Sequence, residues 1–376
     1  MVNVGLLVLK YGLKITHKIS YMFWEDEPVL IIDMFNKDMS YYKEYDSFCY
    51  QNCLRQILEY YGLQNAPLFI NASLSFIVQI FGELPGNYKI IEDKDARSVL
   101  PNYSHKVKRT YPDTRSISEI WDENKSKVRE GYPLITAVDI FYLEYLTFFK
   151  KNHGRHTVVL SGYLEKEKHV CIIDWYEPWF FKGSISVDNF LAARESENPW
   201  DGGIYSGVDF GKNWAWAEKD GWTGTVDELL SQTIQLSINQ YYNSTNVGNN
   251  YPGLLGLKLI YNMLLNLNDI SESDKKAFLK DLHRNLYKLH KRQLFFKFYL
   301  EYTSSNISIT YLNDAIYILS EIANKLEGLL LLIIKGSVVC KDVLYQRILA
   351  GYKEHLELEE KLCNVLNRLQ SILLKN

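Results

Sequence analysis

Three residue types in this sequence can do nucleophilic chemistry together: a cysteine at 49, a histidine at 156 and an aspartate at 174. A thiolate is the reactive form of cysteine, and it forms readily in the first turn of a helix, where free amides and the positive end of the dipole favour the anion. A thiolate nucleophile needs a base, and the base needs a group that fixes its tautomer. His156 opens the apolar run His156-Thr-Val-Val-Leu-Ser-Gly162, and Asp174 closes the run His169-Val-Cys-Ile-Ile-Asp174. If the two runs pair as antiparallel strands through a turn at 165–168, the start of one lies beside the end of the other. His156 and Asp174 are then neighbours, and the order Cys49, His156, Asp174 suits a cysteine-dependent hydrolase or transferase.

The residue types leave alternatives open. Cysteine is among the most buried residue types, so Cys49 also reads as an inert apolar thiol. Cys53, one turn on, reads as core, and Cys171 as facing the core from its strand. His153 and His156 form a His-x-x-His pair, but residues three apart on a strand point to opposite faces, which argues against shared metal ligation. His153 is expected either to stand behind the site or to be a loop residue near its mouth. Asp139 lies inside an apolar strand, where a carboxylate needs a partner; it is either a site residue or a structural acceptor. No Gly-x-Gly-x-x-Gly, Walker, Gly-x-Ser-x-Gly or Cys-x-x-Cys pattern occurs.

The elements that must position these residues follow from periodicity. Leu54, Ile57, Leu58 and Tyr61 recur at helical spacing behind Cys49, with Asp46 or Ser47 as a cap and Gly62 as a stop. Short strands are predicted over 4–9 and 28–35, with a turn at Asp26-Glu-Pro28. The apolar segment 67–81 reads as either helix or strand, with its length favouring a helix, and residues 86–113 read as mostly loop. Ser116-Ile-Ser-Glu119 is a capping box opening a helix that Gly131 ends. Strands follow over 133–139, 156–162 and 169–174. Residues 175–222 hold six of the eight tryptophans, a composition that packs at domain junctions or lines pockets. Beyond Thr225 the pattern is helical, starting with an apolar helix from Pro252 to Leu267 that is expected to be buried all round, and punctuated at Ser271, Thr310 and Gly336. The fold class is therefore α+β, a Cys-bearing helix on an antiparallel sheet, followed by an all-α bundle. The domains are 1–200, an aromatic and glycine-rich junction over 201–225, and 226–376.

The chain has 376 residues, a net charge of −3, 47% hydrophobic and 23% charged residues. That length fits two domains, and the charge gives no electrostatic reason for nucleic acid or an acidic membrane as partner. Five widely spread cysteines do not make a disulfide framework, and no apolar run approaches the length of a membrane span. A cytoplasmic location is expected, without metal or bound cofactor, and the long C-terminal helices offer a route to a homodimer.

The motifs Cys49-x-x-x-Cys-Leu-Arg-x-Ile-Leu-x-Tyr-x-Gly62, Gly131-x-Pro-Leu-Ile-x-Ala-Val-Asp139-x-Phe-Tyr-Leu-x-Tyr145, His153-x-x-His156-x-Val-Val-x-x-Gly-Tyr163 and Val170-x-Ile-x-Asp174 occur in this order. The series resembles the N-terminal domain of the butirosin biosynthesis protein H family, and Ser186-Val-x-x-Phe-Leu-Ala-Ala-Arg194 resembles the segment that follows it there. The resemblance covers roughly residues 45–195, with an echo at Arg292-x-x-x-x-x-Phe-Tyr-Leu300. It implies a papain-like fold related to bacteriocin-processing cysteine peptidases, used for acyl transfer. The donor it implies is a thioester on the phosphopantetheine of an acyl or peptidyl carrier protein, and the acceptor is an amine of an antibiotic precursor. By the same likeness Cys49 is the nucleophile, His156 the base and Asp174 the orienter. The expected function is thus a cysteine-dependent acyltransferase of secondary metabolism. A peptidase or amidase using the same residues and a silent binding protein on the same fold are the alternatives. No glutamine lies in 37–48 to serve as the oxyanion donor usual in papain-like enzymes; the Cys49 amide supplies one donor and the second is unassigned.

Overall fold

A computed structural model of the chain describes residues 19–24, 27–81, 88–91, 99–203, 206–242, 245–267, 270–307, 309, 311–339 and 341–374. The strand expected over 4–9, Asp26, Gly86 and the helix break at Thr310 lie outside the described residues. In chain order the elements are β1 (Ile19–Trp24), β2 (Glu27–Ile32), α1 (Cys49–Tyr60), α2 (Ala66–Phe69), β3 (Ile77–Ile80), β4 (Tyr88–Ile91), β5 (Val107–Thr110), α3 (Ile117–Arg129), β6 (Leu134–Asp139), β7 (Arg155–Leu164), β8 (His169–Asp174) and β9 (Phe181–Ser186). There follow α4 (Val187–Glu195), β10 (Trp214–Ala217), α5 (Val226–Ser237), β11 (Asn250–Pro252), α6 (Gly253–Leu265), α7 (Glu272–Ser304), α8 (Leu312–Val339) and α9 (Asp342–Leu373). Among the described residues no helix is long and apolar enough to cross a membrane. The architecture is the expected α+β sheet-and-helix region followed by a helical region.

The chain divides into two compact units that interleave in sequence. The first comprises the described residues up to Lys43, Asn52–Gly62 and Val107–Glu218. The second comprises Glu44–Gln51 and the described residues of Leu63–Lys106 and Lys219–Asn376. The boundary within α1 falls after Gln51.

The first unit is built on one antiparallel sheet in the order β1-β2-β7-β6-β10-β5, with β8 pairing β7 and β9. β7 is the hub, because its first half pairs with β6 and its second half with both β2 and β8. The β7–β8 ladder shifts register between Leu160 and Gly162. At Gly162 a Cβ would sit 2.6 Å from the Leu30 carbonyl oxygen, so only glycine lets β2 come this close. β6 and β7 are buried along almost their whole length, as strands covered on both faces must be, and α3 and α4 pack against them. α3 starts with the predicted capping box, Ser116 and Glu119 each satisfying the other's backbone amide. α1 ends at Tyr60, and Gly62 just beyond it adopts φ +95°. The tryptophan-rich stretch is more regular than its composition predicts: it contains β9, α4 and β10, and β10 lies between β6 and β5.

The second unit differs from expectation in several places. The apolar segment 67–81 is not one helix. α2 ends at Phe69, and β3 starts only at Ile77. Asn71 accepts a hydrogen bond from the Ser73 amide at 3.0 Å, a local turn that competes with helix formation. β-branched Ile77 and Val78 then favour a strand. The presumed loop 86–113 contains β4, a 3₁₀ segment at Pro101–Lys106 and β5; β11, β3 and β4 form a second small sheet, whereas β5 belongs to the first unit. Asp46 and Ser47 lie in a 3₁₀ turn, Lys43–Ser47, rather than next to α1. The helix from Pro252 exposes Leu255 and Leu265, so it is buried on one face only. α8 runs through Gly336 instead of breaking there. A Cβ at 336 would lie 2.9 Å from Ile348 Cδ1 and 3.3 Å from Leu279 Cδ1, so this glycine serves close packing of α7, α8 and α9.

Inside the helical region lies a buried polar cluster. Glu359 of α9 accepts from the Tyr242 hydroxyl at 3.1 Å and from the Gln293 side-chain amide, and His355 Nε2 lies 3.5 Å away. Burial pushes the Glu359 carboxyl up to about 7 and the His355 imidazole down to about 4. The folded state therefore keeps the Glu359 proton that the unfolded chain releases from about pH 4.5 upward, so this group's contribution is lost as pH rises towards 7. His355 acts oppositely, its contribution lost as pH falls from about 6.5 towards 4. Where these windows overlap the two slopes offset each other. Above pH 7 the ionised, buried Glu359 costs about 3 kcal/mol. Glu359→Gln is therefore expected to match the wild type in Tm at pH 5 and to exceed it by several degrees at pH 8, checked by thermal unfolding across that range. Equal Tm values at pH 8 would refute the assignment.

Candidate active site

β7 and β8 pair as the sequence predicts, Val159 opposite Ile173 and Leu164 opposite His169, around the tight turn at 165–168. The outer end of that ladder brings His156 to Asp174, with His156 Nε2 2.9 Å from Asp174 Oδ1. Both side chains are withdrawn from solvent, at 6% and 2% exposure. The second carboxylate oxygen, Oδ2, accepts from the Tyr145 hydroxyl at 2.5 Å. Burial first, and the facing Asp174 carboxylate second, hold the Tyr145 pKa well above that of tyrosine in water, so it remains a neutral donor. The Tyr145 ring stacks on Phe181 of β9, centroids 3.9 Å apart and planes within 7°. The imidazole is bordered by Tyr176, 5.2 Å away at 45°, and by the edge-on ring of Trp179 at 5.7 Å. Phe148 meets Trp179 at 6.1 Å.

Cys49 is the first residue of α1, half-buried and not in a disulfide. It belongs to the short stretch grouped with the second unit. There Phe48 stacks on Phe295 at 4.5 Å, and the Arg292 guanidinium lies over the Phe48 ring. The part of α1 in the first unit is tied to the strand ends. Asn52 Nδ2 donates to the Trp175 carbonyl at 3.0 Å, and Cys53 Sγ donates to the Thr157 carbonyl at 3.4 Å. Arg55, fully buried, donates to Asn52 Oδ1 at 2.7 Å, to Glu59 at 2.6 Å and to the Ser40 carbonyl at 3.0 Å. Cys53 is core, as expected, and so is Cys171, whose thiol burial pushes up to about 12.

The two other candidates pair with each other. Asp139 is completely buried and accepts four hydrogen bonds: from the amides of Phe141 and Gly154 at 3.1 and 3.0 Å, His153 Nδ1 at 2.7 Å and the Ser196 hydroxyl at 2.6 Å. Four donors saturate a carboxylate. His153 stacks flat on Phe141 at 4.3 Å, and its amide donates to Asp201, whose carboxyl is held down at about 2 by the Gly203 and His153 amides. His153 and His156 thus use separate carboxylates. Among the described residues no cluster of three or more His, Cys, Asp or Glu is arranged to hold a metal ion.

Tyr145, Asn52, Ser196 and Asp201 were not predicted as participants. Tyr145, Ser196 and Asp201 sit outside helices and strands, where no periodicity links a residue to its partner. Asn52 makes a contact with a residue 123 positions away, beyond the reach of any local pattern.

No curated protein matches the chain. Residues 48–175, which contain Cys49, Asp139, His153, His156 and Asp174, match the family model described as butirosin biosynthesis protein H, N-terminal.

Proposed function

We propose that the protein is a cysteine-dependent acyltransferase of antibiotic or related secondary-metabolite biosynthesis, with Cys49 as nucleophile, His156 as base and Asp174 as orienter. The observation that carries this reading is the buried His156–Asp174 hydrogen bond of 2.9 Å within a stretch that matches a family named for antibiotic biosynthesis. With Nε2 directed at the carboxylate, Nδ1 is the nitrogen assigned to proton transfer. Cys49 opens α1, where helix amides favour a thiolate. One turn further along the same helix, Asn52 and Cys53 touch Trp175 and Thr157, each next in sequence to Asp174 or His156. Residues i and i+4 share a helix face, so Cys49 and Cys53 lie on one side of α1.

The reaction has two halves. The Cys49 thiolate attacks the carbonyl of a carrier-protein thioester, and the oxyanion collapses to an acyl-enzyme. The departing thiolate takes the proton held by the His156 imidazolium. An amine then attacks the acyl group and loses its proton to His156, and the Cys49 thiolate leaves as the amide forms. The Cys49 amide serves as one oxyanion donor. Aromatic rings around His156 limit water, which would otherwise make the enzyme a hydrolase.

The test supplies an acyl-pantetheine thioester with and without a primary alkylamine. Amide formation above background, reduced to background in Cys49→Ala, is the expected result. Acid release that the amine does not divert, or cleavage of peptides, would establish a hydrolase instead; neither product would favour a binding protein.

A further inference from the structure

We propose that Tyr145 is a positioning residue: its hydroxyl fixes the oxygen of Asp174 that His156 does not use, and the connection between β6 and β7 exists in its present form to hold that hydroxyl in place. The inference rests on the assignment of His156 as base.

A carboxylate held by one hydrogen bond can rotate about its terminal torsion and release its partner. Asp174 cannot, because Oδ1 faces His156 at 2.9 Å and Oδ2 accepts from Tyr145 at 2.5 Å. The tyrosine is constrained in turn by its stack on Phe181. The connection carrying it is fastened at both ends to one buried carboxylate. Asp139 caps the turn at its start through the Phe141 amide and its end through the Gly154 amide and His153 Nδ1. The Ser196 hydroxyl, arriving after α4, completes the knot. The same connection contributes Phe148, which borders Trp179. Asp139 and His153 therefore act on the imidazole only through this clasp, which accounts for a second Asp–His pair that needs no reacting atom of its own.

The experiment is the pH dependence of Cys49 alkylation by iodoacetamide in the full-length protein, followed on the Cys49 peptide by mass spectrometry. Wild type, Tyr145→Phe and Asp139→Asn are compared, with Tm recorded for each. The wild type is expected to react well below pH 8. Tyr145→Phe keeps the ring stack and loses only the hydroxyl. It is expected to lower the rate at neutral pH about tenfold and to shift the alkaline limit set by the imidazolium, while Asp139→Asn shifts the same limit less. A Tyr145→Phe protein with a lowered Tm but an unchanged pH profile would mean a purely structural tyrosine and would overturn the proposal. A wild type that reacts only as an ordinary thiol would overturn the base assignment itself, a distinct outcome.

Discussion

Replacing His156 by alanine is expected to slow acylation of Cys49 by about 10³- to 10⁵-fold at pH 7. Two losses multiply. Without the imidazolium, the thiol returns towards its ordinary pKa, and only a few per cent is thiolate at neutral pH. Proton transfer to and from the reacting groups then falls to water, which costs about another 10²- to 10⁴-fold. His156 is buried at the mouth of the β7–β8 ladder, and its replacement removes a hydrogen-bond partner from a buried carboxylate, so the variant's Tm must be measured beside its rate. Raising the pH should restore part of the first loss and none of the second. A variant that acylates at the wild-type rate would remove His156 from the mechanism.

Asp174→Asn is expected to cost on the order of 10⁴-fold, by a different route. The Tyr145 hydroxyl is a donor and selects an oxygen at the Oδ2 position. The asparagine amide nitrogen must then face His156 and donate to Nε2. That forces the imidazole proton onto Nδ1, the nitrogen assigned to accept one from the incoming amine. The tautomer is wrong although the packing is almost unchanged. The predicted signature is a large fall in kcat with little change in KM, since binding groups are untouched. In the double variant Tyr145→Phe/Asp174→Asn the amide is no longer oriented by the tyrosine, so some activity should return relative to Asp174→Asn alone. A single variant within tenfold of wild type would show that the carboxylate does not set the tautomer.

Much of this site was legible in the sequence because its central pair is local. A tight turn at 165–168 between two β-branched runs sets the register, and the register places His156 at Asp174. The helix around Cys49 was legible for a similar reason, since Leu54, Ile57 and Leu58 declare one face and Gly62 its end. Asp139 could be singled out because a carboxylate inside an apolar strand must find donors, although the four it found could not be named. Tyr145 was quoted within a motif but had no assigned role. Its partner lies 29 residues away across a loop, and no spacing rule connects them. The segment 67–81 misled because length was weighed above Asn71, Ser73 and the β-branched Ile77 and Val78, whose local hydrogen bonding and stiffness oppose a helix. Gly336 misled in the other direction: glycine is a common helix stop, but here tight packing against Ile348 and Leu279 requires the absence of a side chain within a continuous helix.

The most direct test of the central claim is mass measurement of the intact protein after incubation with an acyl-pantetheine thioester, followed by mapping of the modified peptide. A single acyl adduct on Cys49, absent from Cys49→Ala and retained when Cys53 is replaced by serine, is the predicted result. An unmodified Cys49 under conditions where the thioester is consumed, or an adduct carried by another residue, would contradict the account.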